Sequence, residues 1–170
     1  MYYLIKKLEY DVEVIENLQK FMFDLIREEY GLGYVPKYHQ DIVNLKQTYL
    51  TPVNNNFYFA INPYSQEIMG TIGIRGYDKN FIQFENRYDK ISTASFWRLF
   101  VNKKYRRNHI GSNLVKIAEE FAISRNYEEI YLHTQKSVIE GYKFWKSLNY
   151  DVTSIDDDTI HMEKKLILSS

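Results

Sequence analysis

The stretch FWRLFVNKKYRRNHIGSNLVKIAEEF, residues 96–121, decides the fold. It opens on an apolar run that predicts a buried strand over 92–101, which passes through a short basic loop into a helix. Apolar side chains at helical spacing predict that this helix runs to about residue 126; they are Ile110, Leu114, Ile117, Ala118 and Phe121. A further strand is predicted at 128–134. A strand–helix–strand unit implies a parallel pair joined by a right-handed crossover.

Working outward, both flanks predict further alternation of strands and helices. Toward the N-terminus we predict a strand at 2–6, a helix at 12–29 capped by Asp11, a helical stretch at 36–50, and a hairpin of strands at 57–61 and 67–75. Toward the C-terminus we predict a helix at 137–148, then two antiparallel strands from 149 to 168 that turn at 156–158. The polar, aromatic segment 77–90 either extends the first hairpin or forms a long loop.

These elements predict a mixed α/β (α+β) fold: a mostly antiparallel central sheet with one parallel pair that splays apart, and helices on both faces. The chain shows no internal repeats, low-complexity tracts or linkers. We therefore expect a single domain over residues 1–170.

Composition excludes several classes of protein. The 22 basic and 22 acidic residues cancel, which argues against a nucleic-acid or anionic-membrane partner. The absence of cysteine excludes disulfides, thiolate metal sites and a cysteine nucleophile. The N-terminus does not resemble a signal peptide, and no segment approaches the roughly 20 apolar residues of a membrane span. The expected location is cytoplasmic. The four histidines form no metal-binding pair, so we expect no metal.

The basic loop and the start of the following helix predict an anion site. The first N–H groups of a helix lack internal partners, and the helix dipole is positive there. Gly111 allows close approach of a phosphate, Ser112 adds a hydroxyl, and Arg106, Arg107 and their neighbouring lysines add positive charge. An ordinary solvated loop fits the same residues, and so does a small nucleic-acid patch, which the neutral net charge disfavours.

Around this loop the chain resembles the GNAT superfamily of N-acetyltransferases. That family carries a pattern close to V-D-P-x-Y-R-G-x-G-I-G, and this chain reads V-N-K-K-Y-R-R-N-H-I-G, so that Val101, Tyr105, Arg106, Ile110 and Gly111 fall in register. Residues 67–72 are similar to the family's central hairpin, and residues 141–150 to its A-x-x-F-Y-E-K-L-G-F segment. The element order also agrees along the whole chain.

The resemblance implies that acetyl-CoA is the acyl donor and that a primary amine, of a small molecule or a peptide, attacks the thioester directly. It places the donor on these residues: Phe100 and Val101, through backbone N–H groups; the loop residues Arg106, Arg107, Asn108, His109, Ile110, Gly111 and Ser112; and Phe144 and Trp145, beside the acyl group. At helical spacing, Phe144 and Trp145 fit core packing equally well.

Three positions depart from the family pattern. His109 replaces a loop glycine, which predicts that its backbone does not need a glycine-only conformation. Trp145 stands where many members have a tyrosine that protonates the thiolate, and Val138 where many have an asparagine that contacts the pantetheine arm. These last two substitutions motivate an alternative function, a catalytically inactive acyl-CoA-binding sensor or scaffold.

His133 is the base that we predict, because histidine as a residue type titrates near neutrality and because His133 shares a strand face with Tyr131 at the end of the splayed strand. A histidine hydrogen-bonded at a strand end with no catalytic part is the competing interpretation. Tyr142, one helical turn before Trp145, either replaces the missing acid or packs in the core. Other carboxylates that could act as the base are Glu28, Glu29, Glu85 and Asp89, each of which also fits a solvated acid. The final hairpin could pair at its edge in a homodimer.

Overall fold

A computed structural model describes residues 1–167 of the chain. The strands and helices are β1 (Leu4–Lys7), α1 (Val12–Tyr30), α2 (Pro36–Val43), β2 (Asn56–Ile61), β3 (Ile68–Gly76), β4 (Thr93–Val101), α3 (Ile110–Ser124), β5 (Glu129–Gln135), α4 (Ile139–Ser147), β6 (Asp151–Ile155) and β7 (Thr159–Lys165). A π-helical turn covers Lys46–Leu50, and short 3₁₀ turns cover Ile82–Phe84 and Lys103–Tyr105. The predicted end of the last strand, Leu168, lies outside the described residues.

The described strands form one seven-stranded sheet in the order β1-β2-β3-β4-β5-β7-β6. The pair of β4 and β5 is parallel, while β1 with β2, β2 with β3, β5 with β7 and β6 with β7 are antiparallel. The predicted mixed sheet, with its parallel pair joined through a helix, is confirmed.

The chain divides into two compact units, and the single domain stays a prediction. The first unit holds Met1–Arg75 and Arg98–Ala118, and the second holds Gly76–Trp97 and the chain from Glu119 onward. β4 and α3 each contribute residues to both units.

The first unit is built on the amphipathic helix α1. Asp11 caps it by accepting a hydrogen bond from the Val14 backbone N–H at 3.1 Å, and Gly31 ends it in a left-handed conformation at φ 65°. One face buries Leu18, Met22, Leu25 and Ile26. The glycines of β3, which would weaken an isolated strand, are required here by packing. A Cβ on Gly73 would lie 2.6 Å from the ring of the fully buried Tyr49.

The second unit has an aromatic core centred on Tyr131 of β5, whose side chain is fully buried. The segment 77–90, ambiguous in sequence, is a loop with one 3₁₀ turn, and it supplies the rings around Tyr131. These rings belong to Tyr77, Phe81, Phe84 and Tyr88, with centroids 5.2–6.4 Å from that of Tyr131. The loop is thus part of the core rather than a surface appendage.

Candidate active site

In the first unit, the loop between β4 and α3 is fixed by two asparagine side chains. Asn102 accepts a hydrogen bond from the Lys104 N–H at 3.1 Å, and the Asn102 N–H donates to the Met69 carbonyl at 3.0 Å. The Asn108 amide donates to the carbonyls of Tyr105 and Arg106 at 3.0 and 3.1 Å. The backbone is therefore held in one conformation before any ligand binds.

Two residues of this loop adopt left-handed backbone conformations, Arg107 at φ 64° and His109 at φ 62°. Both stand where the family pattern has glycine. The expectation from the sequence is that His109 does not need a glycine-only conformation, and a histidine does occupy this position. Its backbone is nevertheless left-handed, a conformation that favours glycine and that other residues adopt at a cost. Each such residue costs roughly 1–2 kcal/mol relative to its preferred conformation.

The turn leaves six successive N–H groups, those of residues 107–112, without an acceptor among the described residues 1–167. The His109 carbonyl begins α3 by accepting from the Asn113 N–H at 2.9 Å and from the Ser112 hydroxyl at 3.1 Å. In this arrangement the Ser112 hydroxyl donates to the His109 carbonyl. Successive N–H groups beside a left-handed residue and a helix start form an anion site.

The cations of the loop divide into two kinds. Arg106 pairs with Glu29 of α1 and donates through Nε to the Val101 carbonyl at 3.1 Å, so its side chain braces the loop. Lys104 pairs with Glu67 at 2.6 Å. Lys103 and Arg107 are exposed and have no side-chain partner within residues 1–167, which makes them the cations able to meet an anion.

β4 contains an irregularity that the sequence did not predict. Arg98 has φ 54° inside the strand. Its guanidinium donates to the Asp41 carboxylate at 2.6 and 2.9 Å and to the Tyr38 carbonyl at 2.5 Å, while its own carbonyl accepts from the Thr71 hydroxyl at 2.8 Å. A largely buried ion pair therefore holds Arg98 in its left-handed conformation, two residues before Phe100.

Burial by itself would raise the pKa of Asp41. The hydrogen bonds and charge of Arg98, together with the Tyr49 hydroxyl 2.7 Å away, lower that pKa below its ordinary value. Asp41 is therefore ionised at neutral pH, and the ion pair with Arg98 persists across the physiological range.

In the second unit, the parallel pairing of β4 with β5 is short. Among residues 1–167 it joins Thr93–Ser95 to Glu129–Tyr131, although β5 continues to Gln135. Beyond the last pair, the Trp97 ring on β4 lies edge-on to the His133 ring on β5, with centroids 5.1 Å apart. His133 is half-buried at this end of β5.

His133 and Tyr131 point to the same strand face, as their alternation predicts. The Tyr131 hydroxyl lies 3.4 Å from His133 Nδ1 and 2.6 Å from Nδ1 of His161 on β7. The Nε2 atom of His161 lies 2.7 Å from the Asp156 carboxylate in the turn between β6 and β7. Burial raises the pKa of Tyr131 far above its ordinary value.

Comparison with known proteins identifies the family of this chain. The sequence profile of the acetyltransferase (GNAT) family matches residues 20–150. The chain belongs to this family.

The relatives of this GNAT chain are distant in sequence. Human (Homo sapiens) N-acetylaspartate synthetase is 22% identical over 112 residues, which cover 66% of this chain and 33% of that protein, so the match spans about a third of the curated relative. A GNAT-family acetyltransferase from Staphylococcus aureus superposes with a TM-score of 0.76 at 23% identity, covering 96% of this chain and all of that chain. The PaiA N-acetyltransferase from Thermoplasma acidophilum, in complex with coenzyme A, has a TM-score of 0.69 at 20% identity, with 97% and 99% covered.

The predicted acyl-channel residues of the GNAT pattern lie on α4. Trp145 is buried and packs edge-on against Tyr150 and Phe144, with ring centroids 5.0 and 5.1 Å away. Tyr142 and Phe144 are half-buried. Trp145 therefore contributes to the core of the second unit, whereas Tyr142 and Phe144 keep part of their surfaces exposed.

The carboxylates that could replace His133 are engaged or exposed. Asp89 accepts from the hydroxyl and N–H of Ser92 and from the Ile91 N–H, bonds that lower its pKa, so it shapes a turn. Glu29 pairs with Arg106, and Glu28 and Glu85 are exposed.

Neither a membrane helix nor a metal cluster is found in the described part of the chain. No helix within residues 1–167 is long and apolar enough to cross a membrane. The same residues contain no group of three or more His, Cys, Asp or Glu side chains placed to hold a metal ion.

Proposed function

We propose that this protein transfers an acetyl group from acetyl-CoA to a primary amine, of a small molecule or a peptide, by direct attack on the thioester. The observation that carries the proposal is the run of unpartnered N–H groups from Arg107 to Ser112. A diphosphate is the part of coenzyme A that such a run fits, because its oxygens accept several hydrogen bonds at once.

On the donor side, the loop acts through backbone groups more than through side chains. The N–H groups of Asn108, His109, Ile110 and Gly111 point from a pre-formed turn, and Arg107 adds an exposed charge. Phe100 and Val101 follow the left-handed residue Arg98, and we propose that a backbone N–H there stabilises the thioester oxygen as negative charge develops on it. The CoA complex of the Thermoplasma protein supports coenzyme A as the ligand of this fold.

On the acceptor side, we propose His133 as the base that takes a proton from the attacking amine. Holding two substrates in reacting geometry contributes roughly 7–11 kcal/mol in favourable cases, and a positioned base contributes a factor of about 10²–10⁴. The leaving thiol of CoA has an ordinary thiol pKa near ~8.5, so it departs without a dedicated acid. Tyr142 is the residue we would test for that role.

Titration calorimetry tests the donor site directly. CoA should bind, and pantetheine, which lacks the diphosphate, should bind at least about tenfold more weakly because several charge-assisted hydrogen bonds are lost. Arg107→Ala should weaken CoA binding by about tenfold, while Lys116→Ala, an exposed cation farther along α3, should leave it unchanged. Equal affinity for CoA and pantetheine would remove the phosphate site and the proposal with it.

Release of free thiol from acetyl-CoA in the presence of an amine panel tests the reaction. His133→Gln should lower kcat by about 10²-fold or more without changing CoA affinity. Tyr142→Phe separates the two roles of Tyr142. If Tyr142 is the acid, the substitution should lower kcat; if it only packs, the substitution should lower stability and leave kcat unchanged.

A catalytically inactive acyl-CoA sensor is the second candidate, and the burial of Trp145 where many members carry an acidic tyrosine favours it. Tight CoA binding without thiol release for any amine would select the sensor. The cytoplasmic location and a homodimer stay predictions.

A further inference from the structure

Beyond the predicted base, the second unit contains a chain of polar side chains to which the reaction as described assigns no role. It runs from Asp156 through His161 and Tyr131 to His133. Tyr131 and His161 are fully buried, and Asp156 is 49% exposed. A buried polar group is costly unless it has a hydrogen-bond partner. Each group of this chain must therefore donate or accept, and which atom donates in each hydrogen bond can be worked out in turn.

The direction follows from the carboxylate end. Ionised Asp156 only accepts, so the 2.7 Å contact requires a hydrogen on His161 Nε2. In neutral His161, Nδ1 then carries a lone pair, and the Tyr131 hydroxyl 2.6 Å away must donate to it. That hydroxyl has a single hydrogen, so toward His133 it can only accept. The 3.4 Å contact thus places the hydrogen of His133 on Nδ1 and the lone pair on Nε2.

We propose that Asp156, His161 and Tyr131 are positioning residues that hold His133 in the Nδ1–H tautomer and stabilise its protonated form. The inference rests on the proposed function, because it assigns a use to His133 as the base. When Nε2 takes the proton of the acceptor amine, an N–H bond of the ammonium breaks and an Nε2–H bond forms. The positive charge stays on the His133 imidazolium, and the hydrogen-bonded chain that ends on the Asp156 carboxylate stabilises it without any further proton transfer.

Neighbouring rings enforce this geometry. Phe81 lies edge-on to the rings of His133 and His161, with centroids 6.5 and 5.0 Å away, and Trp97 lies against His133. Gln83 donates to the Asp156 carboxylate at 3.0 Å, which fixes its orientation. Other ionisable groups near this cluster include Tyr77 and Tyr88, which contact the Tyr131 ring, and Lys79, whose ammonium lies 4.9 Å from the Trp97 ring centroid. Glu163 stands opposite Tyr131 on β7, where it accepts from the Tyr88 hydroxyl and pairs with Arg87.

Nitrogen NMR of protein labelled with ¹⁵N-histidine tests the proposal without any substrate. The spectrum should show His161 as the Nε2–H tautomer and His133 as the Nδ1–H tautomer. Tyr131→Phe should abolish the preference at His133. Tyr88→Phe is the matched control, because it removes another hydroxyl that is bonded to a carboxylate, at 3.1 Å from Glu163, and packs on the same ring. A doubly protonated His161, or an Nε2–H His133, would overturn the proposal.

Kinetics supply the second measurement. Tyr131→Phe should lower kcat by about tenfold or more, and Asp156→Asn by several-fold, with CoA affinity unchanged. In Asp156→Asn the acid limb of the pH–rate profile should move to lower pH, because the carboxylate that favours the imidazolium is gone. If the wild-type enzyme is active and the acid limb of the Asp156→Asn profile does not move, the positioning role alone is refuted. Absence of thiol release by the wild type with every amine refutes the proposed function, whatever the tautomers are.

Discussion

The left-handed residues of the loop between β4 and α3 give the sharpest stability prediction. Arg107 and His109 have φ of 64° and 62°, and replacing either with glycine removes a backbone cost of roughly 1–2 kcal/mol. Glycine in turn loses about 0.5–1 kcal/mol more conformational entropy on folding. The difference predicts that Arg107→Gly and His109→Gly each stabilise the protein by up to about 1.5 kcal/mol.

Urea unfolding at pH 7 is the measurement, with thermal melts as a second readout. For a chain of this length, each kcal/mol shifts Tm by about 2–4 °C, so each variant should melt up to about 6 °C higher. Lys103→Gly is the matched control, because Lys103 is an exposed cation of the same loop without a positive φ. It should lose about 0.5–1 kcal/mol. If His109→Gly were as destabilising as Lys103→Gly, the pre-formed turn and its anion site would have to be abandoned.

Two further predictions concern packing and charge in the first unit. Gly73→Ala should destabilise by about 1–3 kcal/mol, because its Cβ would meet the buried Tyr49 ring, whereas Gly33→Ala, with open space around it, should be neutral or stabilising by urea unfolding. Because the folded pKa of Asp41 is depressed, its ion pair with Arg98 contributes stability above the unfolded pKa near ~3.9 and loses it as pH falls through the folded pKa. The free energy of unfolding of the wild type should therefore fall below about pH 4 by more than that of Asp41→Asn. Equal losses in the two proteins would contradict the ion pair.

The order and type of the elements could be predicted because each rests on local signals. Asp11 and Gly31 bound α1 with the capping chemistry expected of them, and the periodicity of α3 places it after the basic loop. Alternation along β5 also placed Tyr131 and His133 on one face, which the contact between the two side chains confirms. The segment 77–90 was ambiguous because its rings become core residues only beside Tyr131, which lies far along the chain.

The candidate site also combines features that local sequence predicts with features that only long-range contacts create. The sequence by itself determined the family resemblance and the prediction of an anion site at the start of α3, because a strand, a basic loop and a helix follow one another within 26 residues. Only the tertiary structure decided that Arg98 pairs with Asp41 and has a left-handed backbone inside β4, and that Tyr131 contacts His161, which in turn contacts Asp156. Arg98 and Asp41 are 57 residues apart in sequence, and Tyr131 and His161 are 30 residues apart. Contacts between such distant residues produce no local periodicity in the sequence. Arg107 and His109 show the same limit, since a left-handed backbone at a non-glycine residue is imposed by the surrounding fold rather than by the residue's own preference.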